Sequence, residues 1–382
     1  MSIDGGDHLL SGGPLACLSA VLHKKNMCSV MLPITAIHVF HFDFRWQIVW
    51  RNVLAFVYLH GAATYGFYLI FTGQVISYTP ILIAGVLFSI MSGMGVTAGA
   101  HRLWAHRAYK AHWTLRLMLA ILQTMAFQNH IYEWVRDHRV HHKYTETDAD
   151  PHNARRGFFF SHIGWLMVRK HKEVFEKGAY VDMSDLEKDP IVMIQRKTYL
   201  VAVPVMCFLL PAATPVVLWG EMPWTSWYVA AIARYTITLH FTWLVNSAAH
   251  VWGNRPYDKN IGATDNATVA VCAFGEGWHN YHHVFPWDYK AAELGNYRTN
   301  ISTLLIDTAA KLGLAYDLKT VSVEMIRKRV ARTGDGSHPW DKQSNDNEDT
   351  HHHPENPVWG WDDKDMPEED KKFAEIVHRK SE

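Results

Sequence analysis

Four long apolar stretches constrain what this 382-residue chain can fold into. Each holds roughly 20 mostly apolar residues, the length that an α-helix needs to cross about 30 Å of hydrocarbon. Inside a bilayer, only helices and closed barrels satisfy every backbone polar group. The sequence therefore predicts an all-α integral membrane protein with four transmembrane helices, near residues 53–72, 80–100, 199–219 and 227–249.

Lysine and arginine are distributed unevenly around these stretches. The connections 73–79 and 220–226 contain neither residue, whereas the segment 101–197 contains sixteen of them. Excess Lys and Arg mark the cytoplasmic side of a membrane protein. We therefore expect two hairpins of spans in the lipid bilayer, with both termini and the long middle segment in the cytosol.

A fifth apolar run, Leu115–Phe127, is expected to remain on the cytosolic side. It contains Arg116 and only about a dozen apolar positions, which is short for a span and typical of a buried or interfacial helix. If it crossed the bilayer, the histidine-rich segments before and after it would lie on opposite sides. The run is therefore assigned to a cytosolic helical cap.

Three histidine-rich segments flank the apolar stretches, and two of them repeat the spacing His-x-x-His-His. Positions i, i+3 and i+4 share one face of a helix, so each triplet can aim three ring nitrogens at one point. Imidazole suits zinc, copper, iron and nickel, and eight ligands are too many for one tetrahedral zinc. The pattern predicts two metal ions in a His-rich cage. The histidines are His101 and His106; His138, His141 and His142; and His279, His282 and His283.

Asn246 and His250 lie four residues apart at the inner end of the fourth predicted span. Polar groups there are costly unless they face protein or a functional site. A lone histidine at a helix end is usually an interfacial residue, but the i, i+4 pairing favours a site. His250 is therefore a ninth candidate ligand, and Asn246 is expected to reach a metal directly or through water.

Composition excludes several other classes of protein. The 37 basic and 37 acidic residues balance, so no nucleic-acid partner is expected. The four cysteines are widely spaced and lack a Cys-x-x-Cys motif, which argues against a disulfide framework and a thiolate metal site. The 16 Trp and 16 Tyr suit a protein at membrane interfaces.

The two ends of the chain differ from the region 45–332 that contains the spans and histidines. In residues 1–44, Lys24 and Lys25 interrupt an apolar region, an order that does not fit a secretory signal. This segment is predicted to be a cytosolic tail of unclear role. Residues 333–382 are predicted to be a polar, partly disordered tail whose run His351–His353 is low-complexity sequence.

The predicted ligand set indicates redox chemistry. An all-nitrogen cage differs from the Glu-x-x-His sites of soluble di-iron bundles. Zinc hydrolysis needs only three protein ligands and an open position. Abstracting hydrogen from an unactivated methylene requires an oxidant that iron and oxygen supply and zinc does not. Two redox metals beside a membrane therefore favour oxygen activation on a lipid-like substrate.

The histidine segments resemble those of the animal acyl-CoA desaturases, which include stearoyl-CoA desaturase and its insect relatives. The resemblance rests on residues 101–106, 136–142, 246–250 and 277–283, and it extends from about Trp50 to Thr333. The segment Trp359-Gly360-Trp361-Asp362 is similar to insect members. The resemblance implies an endoplasmic-reticulum enzyme with a di-iron centre that places a cis double bond, at delta-9, in a long-chain acyl-CoA. It also implies O2 and electrons from NADH through cytochrome b5 reductase and cytochrome b5.

The resemblance also implies roles for individual residues. Two iron ions would be held by His101, His106, His138, His141, His142, His250, His279, His282 and His283, with Asn246 contacting one of them through water. Contacts to acyl-CoA would come from Asn52, Asn129, Arg136, Asp137, Arg169, Lys170 and Trp243. The acyl tunnel would be shaped by Gln128, Trp134, Thr242, Ser89 and Gly93. Without the resemblance, the charged residues could equally be solvated, and the aromatic and small residues could serve ordinary packing.

Three alternatives stay open. A delta-11 or other pheromone-type desaturase differs only in the position of the double bond. A His-box membrane hydroxylase or sterol oxidase would share the iron chemistry, although residues 246–250 and the box spacings favour desaturation. A metal transporter would need ligands near the bilayer midplane, whereas these lie at helix ends. The His-Pro-Gly-Gly motif of a fused cytochrome b5 is absent, so an external electron donor is predicted.

Overall fold

The computed structural model describes residues 47–340 and 357–380, which are mostly helical. The predicted tail 1–44 and the run His351–His353 lie outside the described residues. The α-helices are α1 (Trp50–Phe71), α2 (Tyr78–Met94), α3 (Trp113–Ala126), α4 (Ile131–Tyr144), α5 (Phe158–His162), α6 (Lys172–Gly178), α7 (Ser184–Glu187), α8 (Pro190–Val203), α9 (Leu210–Trp219), α10 (Pro223–Ser226), α11 (Arg234–Asn246), α12 (Ala248–Val251), α13 (Ala267–Cys272), α14 (His279–Val284), α15 (Ile301–Lys311), α16 (Val323–Thr333) and α17 (Glu368–Phe373). Segments of π-helix are Gly95–Ala105, Pro204–Leu209 and Trp227–Ala233, and 3-10 turns are Ala154–Arg156 and Gly164–Leu166.

Three helices of the described chain are long and apolar enough to cross a membrane. They are Trp50–Phe71, Tyr78–Ala105 and Pro190–Trp219. The second and third join α-helices to π-helical segments without a break. Side chains such as Phe71 and Leu200, 82% and 85% exposed, would be costly in water and are suited to lipid. Three of the four predicted apolar stretches are thus confirmed as helices of spanning length.

The fourth apolar stretch is also helical, but it is not among these three helices. It joins α10, a π-helical segment and α11 into one continuous helix over residues 223–246. Its polar Arg234 is buried and donates a hydrogen bond from Nη2 to the carbonyl of Cys207. Its backbone also approaches α1 closely, because a Cβ on Gly66 would lie 2.5 Å from the carbonyl oxygen of Tyr228. Neighbouring helices therefore enclose this segment, and one of them accepts a hydrogen bond from its buried guanidinium.

The fifth apolar run forms α3, which has 14 residues and is shorter than a membrane span. It packs against the π-helical segment that contains His101 and against α8. Its buried residues Leu115 and Leu119 join Leu186 and Ile306 in an apolar core of the helical cap. This core also contains Leu103 and Trp104, so it packs against the histidine-rich segment 101–106.

The predicted C-terminal tail, residues 333–382, contains ordered structure beyond α16. Strands β1 (Lys110–Ala111) and β2 (Ala315–Tyr316) pair antiparallel, as do β3 (Leu318–Val321) and β4 (Ala374–Val377). The second pair places Leu318 opposite Val377 and Val321 opposite Ala374. Residues 357–380 therefore fold against the cap.

Candidate metal centre

The nine predicted ligand histidines converge in two adjacent groups. Within each group, one ring nitrogen from every member lies within 4.8 Å of all the others. The five-histidine group consists of His101, His106, His138, His142 and His282. The four-histidine group consists of His141, His250, His279 and His283. Each group offers enough nitrogen atoms to hold a metal ion, as the two-ion prediction requires.

The spacing of the Nε2 atoms fits ligands of a common ion. In the five-histidine group, the Nε2 of His282 lies 2.9 Å from that of His101 and 3.1 Å from that of His142. In the four-histidine group, the Nε2 of His279 lies 3.1 Å from the Nε2 atoms of both His250 and His283. Two nitrogens bound at right angles about 2.1 Å from one ion are about 3 Å apart. The donor sets therefore fit metal ions.

The expectation that each His-x-x-His-His triplet aims at a single point is wrong. On α4, His138 and His142 belong to the five-histidine group, whereas His141 belongs to the four-histidine group. The triplet of α14 is divided in the same way: His282 belongs to the five-histidine group, whereas His279 and His283 belong to the four-histidine group. Successive residues of a helix are about 100° apart, so positions i+3 and i+4 differ by that angle. Each helix can therefore face both metal positions at once.

Carboxylates lie close to the outer ring nitrogens of three ligands. The Nδ1 of His101 lies 2.8 Å from Glu276, and that of His141 lies 2.9 Å from Asp150. The Nδ1 of His250 lies 3.7 Å from Glu146. Such carboxylate–histidine pairs fix the tautomer, so that Nε2 offers its lone pair to the metal. Although burial opposes it, the neighbouring His141 and His152 hold the pKa of Asp150 below its ordinary value.

The site also favours the neutral form of imidazole that binds metals. Desolvation, followed by repulsion from neighbouring imidazoles, lowers the pKa well below the ordinary histidine value. This applies to His106, His138, His142, His279, His282 and His283. Neutral His is the ligating form, so no proton must be displaced at neutral pH before a metal binds.

A cavity of about 500 Å³ leads from the membrane-facing helices to the histidines. Its wall is mostly apolar, and His138 of the five-histidine group forms part of it. Along the fourth helix, its lining residues run from Trp227 to Asn246, about 28 Å of helix axis. Ligand sites typically combine such an apolar wall with a few polar groups. The cavity can therefore hold a long apolar chain beside the metal centre.

Most of the predicted substrate residues line this cavity. Those that do are Asn52, Asn129, Asp137, Trp243, Gln128, Trp134 and Thr242, together with Asn246. Arg136, Arg169 and Lys170 are not part of its wall. Lys170 and Arg136 both pair with the Asp137 carboxylate, while Arg169 is exposed. Arg136 and Lys170 therefore lie outside the cavity, next to a residue of its wall.

The predicted tunnel residues occupy different places. The amide of Gln128 donates to the hydroxyl of Thr242 over 3.0 Å, which ties two parts of the wall together. Ser89 and Gly93 of α2 do not line the cavity. Ser89 accepts a hydrogen bond from Thr238, and a Cβ on Gly93 would lie 2.2 Å from the Phe274 ring. Both small residues are therefore in close contact with neighbouring segments, and their role in the tunnel stays a prediction.

Several residues of the centre were missed by the sequence analysis. Besides the three carboxylates, the buried ring of His152 lies 4.3 Å from that of His141 and lines the cavity. The backbone carbonyl of Trp359 accepts a hydrogen bond from His106. Asp150 and His152 lie close in sequence to the histidine segment 138–142, and this proximity was a usable signal of a role in the site. Glu276 lies just before the histidine segment 279–283, but its local sequence does not distinguish it from a surface glutamate.

The chain is similar to known proteins over most of its length. The family model described as fatty acid desaturase matches residues 76–298. The chain is 60% identical to an acyl-CoA Delta-9 desaturase of Acheta domesticus, over 88% of each chain. It is 56% identical to an acyl-CoA Delta12-desaturase of the same species, over 89% of each chain. It is also 55% identical to stearoyl-CoA desaturase 5 of Homo sapiens, over 77% of this chain and 87% of the relative.

Proposed function

Because the chain belongs to the fatty acid desaturase family, we propose that it is an acyl-CoA desaturase that introduces a cis double bond into long-chain saturated acyl-CoA. One observation carries the proposal: the apolar cavity that can hold an acyl chain is lined in part by His138, a member of the five-histidine group. A methylene of the chain can thus lie beside the metal centre. A channel for transported ions would instead need polar walls.

We assign two iron ions to the nine histidines, one ion to each group, with Asn246 contacting one through water. All-imidazole donor sets suit iron among the transition metals. When bound, the irons supply the oxidising power that removes two hydrogens from neighbouring methylenes, with O2 as oxidant and electrons from cytochrome b5 and its NADH-dependent reductase. The chain itself supplies the ligands, the carboxylates that orient them and a cavity that excludes water.

The cavity wall would position the acyl chain. Trp134 stacks on His138 with ring centroids 4.8 Å apart, so the wall is rigid next to the reacting methylenes. On the opposite side, Trp243 is fixed by an edge contact with Phe56, with centroids 5.6 Å apart. Because a rigid wall removes most of the chain's conformational freedom, the same methylenes lie near the irons in every turnover.

The head group of acyl-CoA would lie at the cavity mouth near Asn52, Asn129 and Asp137. Arg136 and Lys170 pair with Asp137 beside this mouth, and the exposed Arg169 precedes Lys170 in the chain, so their charges would match the negative charge of the phosphates. Arg forks and Lys ammonium groups both bind phosphate oxygens through charge-assisted hydrogen bonds. A charged head group thereby remains at the surface while the acyl chain enters the cavity.

Replacing both Arg169 and Lys170 with alanine is expected to raise the KM for acyl-CoA about tenfold, the effect of losing about one charge-assisted contact. Iron content should remain at the wild-type level, because neither residue contacts the histidines. The measurement is steady-state kinetics together with metal analysis of the same preparation. Replacing Lys371, a partly exposed residue that pairs with Glu368, with alanine serves as control, and an unchanged KM in the double variant would contradict the head-group assignment.

We further propose that residues 223–246 form a fourth span, so that two hairpins cross the endoplasmic-reticulum membrane with both termini in the cytosol. The support is the continuous helix over these residues and its close contact with α1. The connections 73–79 and 220–226 lack Lys and Arg, as expected of the non-cytosolic side. All nine histidines then lie on or near one face of the bilayer.

The length of acyl chain that is accepted should depend on the far part of the cavity. Ile232, which is 2% exposed, lines it there. Replacing Ile232 with tryptophan is expected to shift the products toward shorter chains, because the larger ring fills space that the chain end would occupy. Product analysis by mass spectrometry measures the shift. The variant Leu200→Trp, at a side chain that is 85% exposed, is the control, and an unchanged product distribution in I232W would contradict the proposed path of the acyl chain.

The proposed double-bond position is delta-9, as in the name of the Acheta domesticus relative with 60% identity. A delta-11 position also fits, since a relative from Trichoplusia ni with 48% identity is an acyl-CoA Delta(11) desaturase. Expression in desaturase-deficient yeast, followed by mass-spectrometric mapping of new double bonds, tests both the activity and the position. Hydroxylated products, or no new double bonds from iron-loaded protein, would refute the proposal.

A further inference from the structure

Residues 357–380, here called the C-terminal strap, cross the metal centre and contact the main chain and side chain of one ligand. The Nδ1 of His106 donates a hydrogen bond to the carbonyl of Trp359. The amide of Trp361 donates to the carbonyl of His106 over 2.9 Å. Gly360, between the two, lies so close that a Cβ would be 2.5 Å from the His106 carbonyl oxygen. The strap therefore hydrogen-bonds to both the ring Nδ1 and the backbone carbonyl of His106.

His106 lies at the end of its helix, where the helix backbone fixes it least. It follows the end of the long helix Tyr78–Ala105, and the next residue, Arg107, has a φ of +52°. The chain therefore turns away directly after the ligand, and the helix does not continue to fix it. The Nδ1 atoms of His101 and His141 lie within 2.9 Å of carboxylates, whereas the partner of His106 is a backbone carbonyl from 253 residues further along the chain.

The position of that carbonyl is itself fixed by the histidine-bearing helix α4. The Trp359 ring is 3% exposed and lies over the guanidinium of Arg139, 4.1 Å from its Cζ. The amide of Trp359 donates to Asp363 over 2.9 Å, and Asp363 lies 2.7 Å from the ammonium of Lys143. Arg139 follows His138, and Lys143 follows His142. The strap thereby ties His106 to the helix that supplies two other members of its group.

We propose that the C-terminal strap is a positioning element of the five-histidine group, which fixes the tautomer and direction of His106 through the Trp359 carbonyl. With Nδ1 protonated toward this carbonyl, Nε2 keeps its lone pair and lies 2.8 Å from the Nε2 of His138. The four-histidine group is not contacted by this carbonyl. The inference rests on the proposed function only for the identity of the metal.

Two variants disturb the strap without altering a ligand. Gly360→Ala places a Cβ against the backbone of His106, where neither side can yield easily, so the Trp359 carbonyl should move away. Trp359→Ala keeps the carbonyl but removes the ring that Arg139 holds. Trp359→Phe retains an aromatic face for the guanidinium and should therefore keep the wild-type iron content and kcat. Gly85→Ala is the matched control, since its Cβ would meet nothing within 4 Å.

The test is anaerobic Fe(II) titration of the full-length protein, with metal analysis and kinetics. We expect G360A and W359A to retain about half of the wild-type iron and to lose about 10–100-fold in kcat, the effect of removing an outer-shell partner. KM should not change, because the strap is not part of the cavity wall. W359F and G85A should match the wild type. Adding His283→Ala to G360A should abolish the remaining iron, whereas adding His282→Ala should leave it in place.

Two results would overturn the inference alone: wild-type iron content and kcat in both strap variants, or equal loss of iron from both groups without rescue by W359F. The second result would mean that the strap only stabilises the fold. Failure of the wild-type protein itself to bind iron would overturn the proposed function and this inference together. The outcomes are therefore distinguishable in a single set of preparations.

Discussion

Replacing His282 with alanine is expected to abolish desaturation, with a loss of turnover of at least about 1,000-fold, because outer-shell partners alone are worth about 10–100-fold. The Nε2 of His282 lies within 3.1 Å of the Nε2 atoms of His101 and His142, so it occupies the middle of the five-histidine group. Its loss removes a donor that no nearby residue can replace. Product formation and iron content measure the effect.

His112→Ala is the matched control for this variant. His112 is exposed, and its ring contacts the hydroxyl of Thr114 and the neighbouring ring of Trp113, away from the two histidine groups. The control should retain wild-type iron and turnover. Full iron content and normal turnover in purified H282A would contradict the assignment of the five-histidine group as a metal site.

The nine histidines could be predicted because their signal is local. The spacing His-x-x-His-His and the pair Asn246 and His250 follow from helix periodicity alone. The division of each triplet between two groups could not be predicted in this way. It depends on how α4 and α14 are rotated toward each other, which is set by packing of distant segments. A pattern on one helix identifies its donors without saying which ion each donor faces.

The carboxylates around the site illustrate the same limit. Glu276 contacts His101, 175 residues earlier in the chain, and nothing about its local sequence separates it from a surface glutamate. The pairing of Trp359 with His106 spans an even longer separation. Because Trp359 lies in a polar C-terminal region, the sequence predicted a tail there. Outer partners of a metal site arise from tertiary contacts, so a single sequence reveals them poorly.

The membrane helices were predicted from length and hydropathy, and the fourth stretch marks where this method weakens. Arg234 reduces its apolar character, yet the residue is buried and hydrogen-bonded to the backbone of Cys207. A segment enclosed by other helices does not need a uniformly apolar surface. Hydropathy therefore identifies lipid-facing helices better than helices inside the bundle.

Replacing Arg102 with methionine is expected to lower the free energy of unfolding by about 3–5 kcal/mol, the cost of leaving one partner of a buried ion pair alone. Arg102 is 1% exposed and donates to Glu276 from both Nε and Nη2, over 3.0 and 2.8 Å. It also donates to Asn300 and Thr303, so it joins the π-helical segment to α15. Thermal and denaturant unfolding in detergent measure the change.

The pH dependence of this loss identifies its cause. In the wild type, Arg102 and then His101 hold the pKa of Glu276 below its ordinary value, against the effect of burial. Without Arg102, burial should raise that pKa above the ordinary value, so the carboxyl becomes neutral more readily. Because the pKa of Glu276 is lowered on folding, the carboxylate stabilises the wild type at pH values above the ordinary pKa of glutamate. This contribution is lost as the pH falls through the lowered pKa. The deficit of R102M should therefore be smaller at about pH 4 than at about pH 7.

Two further variants complete the argument. Glu276→Gln in the R102M background removes the unpaired charge and should recover most of the lost stability, because a neutral amide is far less costly to bury than a carboxylate. Lys328→Met, which breaks an exposed pair with Glu324, should change stability by no more than about 0.5 kcal/mol. If R102M unfolded no more easily than K328M, the buried pair would not be what joins the histidine-bearing π-helical segment to the rest of the cap.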